Sequence, residues 1–306
     1  MASCCVPWRV SSPPPAASLT DRRALMEVVA IPAVVAAVLL LCLVIGWALV
    51  RRWRPPARSV PSGRAPAGWK ALIEDRVPLV RRLSLGEWDR LLDLVQTFLR
   101  EKHFEGGGGL EVDDEMKIIV AAQACLLILH LDAGCYPGVR SVILYPSTFT
   151  RRSPAIDARM YVGAIPHPEP LLGEHASGAV VLAWDSAHGG ATDAADGQNV
   201  VLHEFAHELD REDGYVDGVP LLEAPSSTRV WARVLQQRFE ELRHTAEDGL
   251  PDVLNAYGAT NRAEFFAVAT ETFFEKPADM RRRYPDLYEE LRGFYRQDPA
   301  GAAPTP

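Results

Sequence analysis

The stretch Val201-Leu-His-Glu-Phe-Ala-His-Glu-Leu-Asp210 decides how the rest of the 306-residue chain is read. It holds His203-Glu204-x-x-His207. On a helix, residues four apart lie on one face a turn apart, so both imidazoles can reach one metal ion. Glu204 follows the first histidine and falls beside that ion, where a carboxylate can take a proton from water. In a chain with 8 His and 21 Glu, chance produces the pattern only about 0.01 times. Val201, Leu202, Phe205, Ala206 and Leu209 add an apolar face, which predicts a helix anchored in a core with His203, Glu204 and His207 turned toward a cleft. The expected metal is Zn2+, which takes three protein ligands and keeps one open position in hydrolytic sites.

The third ligand has to come from elsewhere. A compact continuation of the pattern would need glycine at 210 and histidine at 213, and the chain has Asp210 and Asp213. Asp213 stays a candidate, weakened by Asp210 standing where a tight turn favours glycine. Glu264 is the stronger candidate, because a second helix bearing a carboxylate and packed on the first would complete a His-His-Glu site. Against it, Asn261-Arg-Ala-Glu264 also reads as a capping box in which the Glu serves only its own helix. Glu271, two turns on, shares the face of Glu264 and could be the ligand instead. It fits better as a partner that orients an imidazole. Glu275 reads as nearer solvent at the helix end. Tyr257 is placed to hydrogen-bond a developing oxyanion and equally reads as a core residue.

Around these motifs, residues 1–27 are rich in Ser, Pro and Ala and are expected to be disordered. Residues 28–50 form a run of 23 without a charge, long enough for one transmembrane helix. Positive charge is heavier in 51–70 than in 8–27, which predicts a C-terminal side in the cytoplasm and an inner-membrane, single-pass protein. The basic, Pro-rich 51–69 reads as a linker that can touch anionic lipid. Folded sequence is expected over 70–299. Ser84-Leu-Gly-Glu87 is a capping box opening a helix, and helices are expected at 116–131, 228–244, 261–275 (stopped by Pro277) and 285–295. Strands are expected at 139–145 and 179–184, the second as an edge able to pair with an extended peptide. Asp193 and Asp196 are candidate caps for the metal helix. Gln123 and His130 read as satisfied core or boundary groups. Residues 150–178, with His167 and His175, read as an irregular loop, and the tail from 298, with 300–306, as disordered.

The formal charge is −8, yet residues 1–70 carry nine Lys/Arg against two Asp/Glu. The acidic remainder argues against direct nucleic-acid binding. Five scattered cysteines show no ligand spacing and read as reduced thiols.

With the segments HEFAHELDREDGYVDGVPLL (203–222), NAYGATNRAEFFAVATETFFEKP (255–277) and YPDLYEELRGFYRQDP (284–299) in view, the chain resembles the MtfA (Mlc titration factor A) family of bacterial zinc peptidases. LILHLD (127–132) and VILYP (142–146) are similar in character. The resemblance implies His203, His207 and Glu264 as zinc ligands, Glu204 as general base and Tyr257 as oxyanion stabiliser. That arrangement is similar to the catalytic domain of anthrax lethal factor, where a second Glu follows the ligand Glu by four residues. Here that place is Val268, which moves support of an imidazole to Glu271 or Asp210. The resemblance further implies an aminopeptidase-like activity on a peptide or protein substrate. Its alternative is a module that sequesters a transcriptional regulator, with zinc structural or vestigial. The expected architecture is thus α+β: a mostly helical, zincin-like metallopeptidase domain with a small sheet, preceded by one transmembrane helix.

Overall fold

A computed structural model describes residues 65–66, 68–132, 134–147, 178–222 and 225–301. The chain divides into two units, Met1–Ser59 and Val60–Pro306, and the described residues belong to the second. The elements in order are α1 (Trp69–Arg76), a 3-10 helix (Pro78–Arg82), α2 (Leu85–Glu101), β1 (His103–Gly106), α3 (Asp114–Leu127), β2 (Ser141–Tyr145), β3 (Ala179–Ala183) and α4 (Trp184–Thr192). They continue with α5 (Val200–Asp210), a 3-10 helix (Arg211–Asp213), α6 (Pro225–Glu247), a 3-10 helix (Ala256–Ala259), α7 (Arg262–Glu275), α8 (Pro277–Arg283) and α9 (Pro285–Tyr295). The mostly helical domain with a small sheet is therefore present.

Helix α3 is the centre. Every residue from Ile118 to Leu127 is buried, as a helix that is apolar on all sides requires. It packs against α1, α2, α4 and α5. Asp113 caps it by accepting from Met116 N at 2.8 Å. Its one polar interior residue, Gln123, donates to Ile119 O and accepts from Asn199. His130 pairs with Glu87 at 2.9 Å. The capping box at Ser84 is complete, with Glu87 reaching back to Ser84 N.

The sheet has three parallel strands in the order β1-β2-β3, with His103 opposite Ser141 and Ser141 opposite Ala179. β1 was not expected: it is four residues long, mostly exposed and polar, which is how natural edge strands are kept from pairing onward. β3 passes directly into α4, which contains His188-Gly-Gly. Pro277 does not simply stop α7; it occupies the first turn of α8, where its missing N–H costs nothing. The chain beyond α9 is held through Ala300, whose N–H donates to the Tyr288 hydroxyl, and that hydroxyl donates to Asp298.

The expected membrane anchor is corrected. No helix among the described residues is long and apolar enough to cross a membrane. The apolar α3 has 14 residues, about 21 Å at 1.5 Å per residue, against a hydrocarbon core of about 30 Å. The 23-residue α6 is long enough, but it carries Arg229, Arg233, Arg238, Glu240, Glu241 and Arg243. The run 28–50 lies outside the described residues, as do 1–27, 51–64, 67, His167, His175 and 302–306. The transmembrane helix, the bilayer as a partner and the inner-membrane location are withdrawn.

Helix α4 lies so close to the start of α5 that only glycine fits at Gly190. A Cβ there would stand 2.9 Å from Asn199 Cα and 3.0 Å from Gln198 O. At Gly189 a Cβ would meet nothing within 4 Å. Gly190→Ala is therefore expected to lower stability by about 1–3 kcal/mol. Gly189→Ala should be neutral or stabilising by up to about 1 kcal/mol. Urea unfolding midpoints of the two variants check the contrast, and equal midpoints would refute it.

Candidate metal centre

Helix α5 presents its histidines because its start is fixed and its apolar face is buried. Asn199 caps it, with Oδ1 accepting from Leu202 N at 3.0 Å. The aspartates considered for that role make local turns instead: Asp193 accepts from Ala195 N and Asp196 from Gln198 N. Val200, Val201, Leu202, Phe205, Ala206 and Leu209 are buried, and so are His203 and His207. The partner helix α7 is capped by Asn261, whose Oδ1 accepts from Glu264 N at 3.0 Å. Only half of the suspected capping box forms, because the Glu264 carboxylate turns to the histidines.

Three lone-pair donors then meet. His203 Nε2 lies 3.0 Å from Glu264 Oε2, His207 Nε2 lies 3.5 Å from the same oxygen, and the two Nε2 atoms are 3.2 Å apart. Zinc bonds of 2.0–2.1 Å in a tetrahedron would set donor atoms about 3.3 Å apart. The observed triangle has that size. His203, His207 and Glu264 thus form a His-His-Glu cluster able to coordinate a zinc ion.

The tautomer needed is set from behind. Glu271 Oε1 lies 2.8 Å from His203 Nδ1, so the Nδ1–H donates to it and Nε2 is the nitrogen turned toward the cluster, where it can offer a lone pair to a cation. Glu271 is thus a carboxylate behind one imidazole, that of His203. Asp210 accepts from Gly218 N through Oδ2, and Gly218 O accepts from Trp231 Nε1, which ties the loop after α5 to α6. Gly218 has φ 82°, and a Cβ there would stand 2.5 Å from Arg262 O. Asp213 accepts from Tyr215 N in a local turn and stays out of the cluster.

The electrostatics express the same demand for positive charge. Burial disfavours the His203 imidazolium, but hydrogen bonds to Glu264 and Glu271 outweigh it and push its pKa up to about 10. Burial acts to raise the Glu264 pKa, and its bonds to His203 and His207 bring it down to about 2. A proton meets this demand when no cation is present, and Zn2+ would meet it with two charges.

Glu204, half-buried, projects from the same helix, and its negative charge helps hold the His203 imidazolium. Tyr257 sits on the 3-10 helix before α7 with its ring centroid 6.0 Å from that of His203. Burial, then Glu264, Glu204 and Glu271, raise its pKa to about 12, so the hydroxyl keeps its proton.

Two participants escaped the reading of the sequence. Asn199 stands directly before the apolar run, where a cap is wanted, and that position was the available signal. Glu275, read as near solvent, is buried: its carboxylate accepts from Gln198 N at 3.0 Å and Asn199 Nδ2 at 3.1 Å. Burial, with Glu271 and Asp196 nearby, pushes its pKa up to about 9.

Nothing among the described residues supports the regulator-sequestering alternative, and what they do assemble is a His-His-Glu donor set, so the alternative is set aside. Comparison with known proteins agrees with the metal site. The chain is 36% identical over 239 residues to an uncharacterized protein of Synechocystis sp., covering 76% of this chain and 85% of the relative. It is 32% identical over 258 residues to Mlc titration factor A of Pectobacterium atrosepticum, covering 81% of this chain and 92% of that protein. With Mlc titration factor A of Serratia proteamaculans the identity is 30% over 247 residues, covering 78% and 90%. The family model of the glucose-regulated metallo-peptidase M90 matches residues 49–296, a span that includes both ligand-bearing helices, and the chain belongs to that family.

Proposed function

We propose that this chain hydrolyses peptide bonds of a peptide or protein substrate, with His203, His207 and Glu264 holding zinc, Glu204 as general base and Tyr257 as oxyanion donor. The observation that carries the reading is the convergence of the three donor atoms with Glu204 on the same helix. When bound, zinc would supply Lewis acidity toward a carbonyl and make water a stronger acid near neutral pH. The protein's own groups do the rest. Glu204 takes the proton of the attacking water and passes it to the departing amine. Tyr257, kept protonated, donates to the oxygen on which negative charge develops. Glu271 holds His203 in one tautomer while charge shifts in front of it.

Glu204→Gln should retain zinc and lose roughly 100-fold or more in peptide turnover. Cleavage of a peptide library by the variant at wild-type rate would refute the mechanism. Tyr257→Phe should lower kcat by about 100-fold with KM little changed; a change in KM alone would make Tyr257 a binding residue. Glu264→Ala should weaken zinc binding, measured by chelator competition, far more than Asp213→Ala. The reverse order would reassign the ligand.

A further inference from the structure

Asn199 is fully buried and engages all of its polar groups. Oδ1 caps α5. Its carbonyl accepts from His203 N at 2.9 Å. Its backbone N–H donates to Glu271 Oε2, whose other oxygen holds His203 Nδ1. Its Nδ2 lies 2.9 Å from Gln123 Oε1, 3.0 Å from Gly190 O and 3.1 Å from Glu275 Oε1. A helix cap needs only the acceptor, which Ser or Asp supplies as well. The amide's N–H groups are an addition, and they join α3, α4 and α7 at a residue whose backbone N–H also donates to Glu271.

We propose that Asn199 is a positioning residue for the metal ligand His203: it pins Glu271 against Nδ1 and so keeps Nε2 aimed at the cation site. The α7 acceptor of the amide, Glu275, lies one turn beyond Glu271, and at neutral pH it carries a proton because burial raises its pKa to about 9. Two carboxyl groups can then share this face of α7 with one negative charge between them. The inference rests on the proposed zinc site, and zinc affinity tests it apart from peptide hydrolysis.

Asn199→Ser and Asn199→Asp both keep a cap. Ser keeps the backbone N–H on Glu271 but removes the side-chain amide donors that hold that backbone in place, and Asp turns an oxygen toward the three acceptors of the amide. Zinc affinity is read by competition with a chromogenic chelator, with thermal unfolding of the metal-free proteins as control. Asn199→Ser is expected to lose about 10-fold in zinc affinity and Asn199→Asp at least as much, against about 10–100-fold for Glu271→Gln. The double variant Asn199→Ser/Glu271→Gln should bind zinc within about 2-fold of Glu271→Gln alone, since the first residue acts through the second. Wild-type affinity in both Asn199 variants, or additive losses in the double variant, overturns the inference. Should the Asn199 variants not fold, Glu275→Leu should reproduce the loss and Glu275→Gln should restore affinity; wild-type affinity in Glu275→Leu overturns it equally. Wild-type protein that binds no zinc would overturn the reading of the site itself.

Discussion

Opposite nitrogens of one imidazole are gripped by two carboxylates of a neighbouring helix, and the register of α5 on α7 depends on that grip. His203 meets Glu271 through Nδ1 and Glu264 through Nε2, at 2.8 and 3.0 Å. The carboxylates are seven residues apart, two helical turns, and so project from one face. Rotating α7 by one residue would turn that face by about 100° and remove both partners together. The stranded charges would then each cost several kcal/mol. Packing on the far side of α7 resists such a slip. Phe266 meets Trp231 and Phe294 in edge-to-face contacts of 5.8 and 6.1 Å, and Thr270 bonds the Tyr295 hydroxyl at 2.8 Å.

The two ends of α5 are secured by different means. At its start, Asn199 joins the helix to three other elements through buried hydrogen bonds. At its end, Asp210 and Gly218 fold the following loop back toward α6 and against the backbone of Arg262. This use of Asp210 explains why the residues just after the second histidine supply no ligand. Their polar groups close turns, and the third donor comes from 61 residues after His203.

Much of this was legible because the decisive residues carry strong local signals. His203-x-x-x-His207, the Ser84 capping box and the aromatic and aliphatic spacing in the last helix each constrain the backbone within one turn or two. Glu264 could be ranked above Asp213 because Asp210 stands where a tight turn favours glycine and Glu264 opens a second helix, though Asn261 pulled toward the alternative that it caps its own helix. Both readings hold in part, since Asn261 caps the backbone while the carboxylate leaves for the cluster. What escaped depends on contacts between distant segments. β1 is too short and polar to announce itself and exists by pairing with β2. α4 contains two glycines, weak helix formers, and is fixed by its neighbours. Glu275 looked solvent-facing because the donors that satisfy its carboxylate, Asn199 and Gln198, are 76 and 77 positions away. The transmembrane expectation came from hydropathy alone, and no described helix meets it.

Solvent reaches the three donors unequally. The side chain of His203 is 2% exposed, that of His207 11% and that of Glu264 19%. The way in from solvent therefore runs past Glu264, and the innermost contact is that between His203 and Glu271, both almost wholly enclosed. Exposure falls from the carboxylate inward, so that Glu264 forms the outer wall of the site and the supported imidazole its floor.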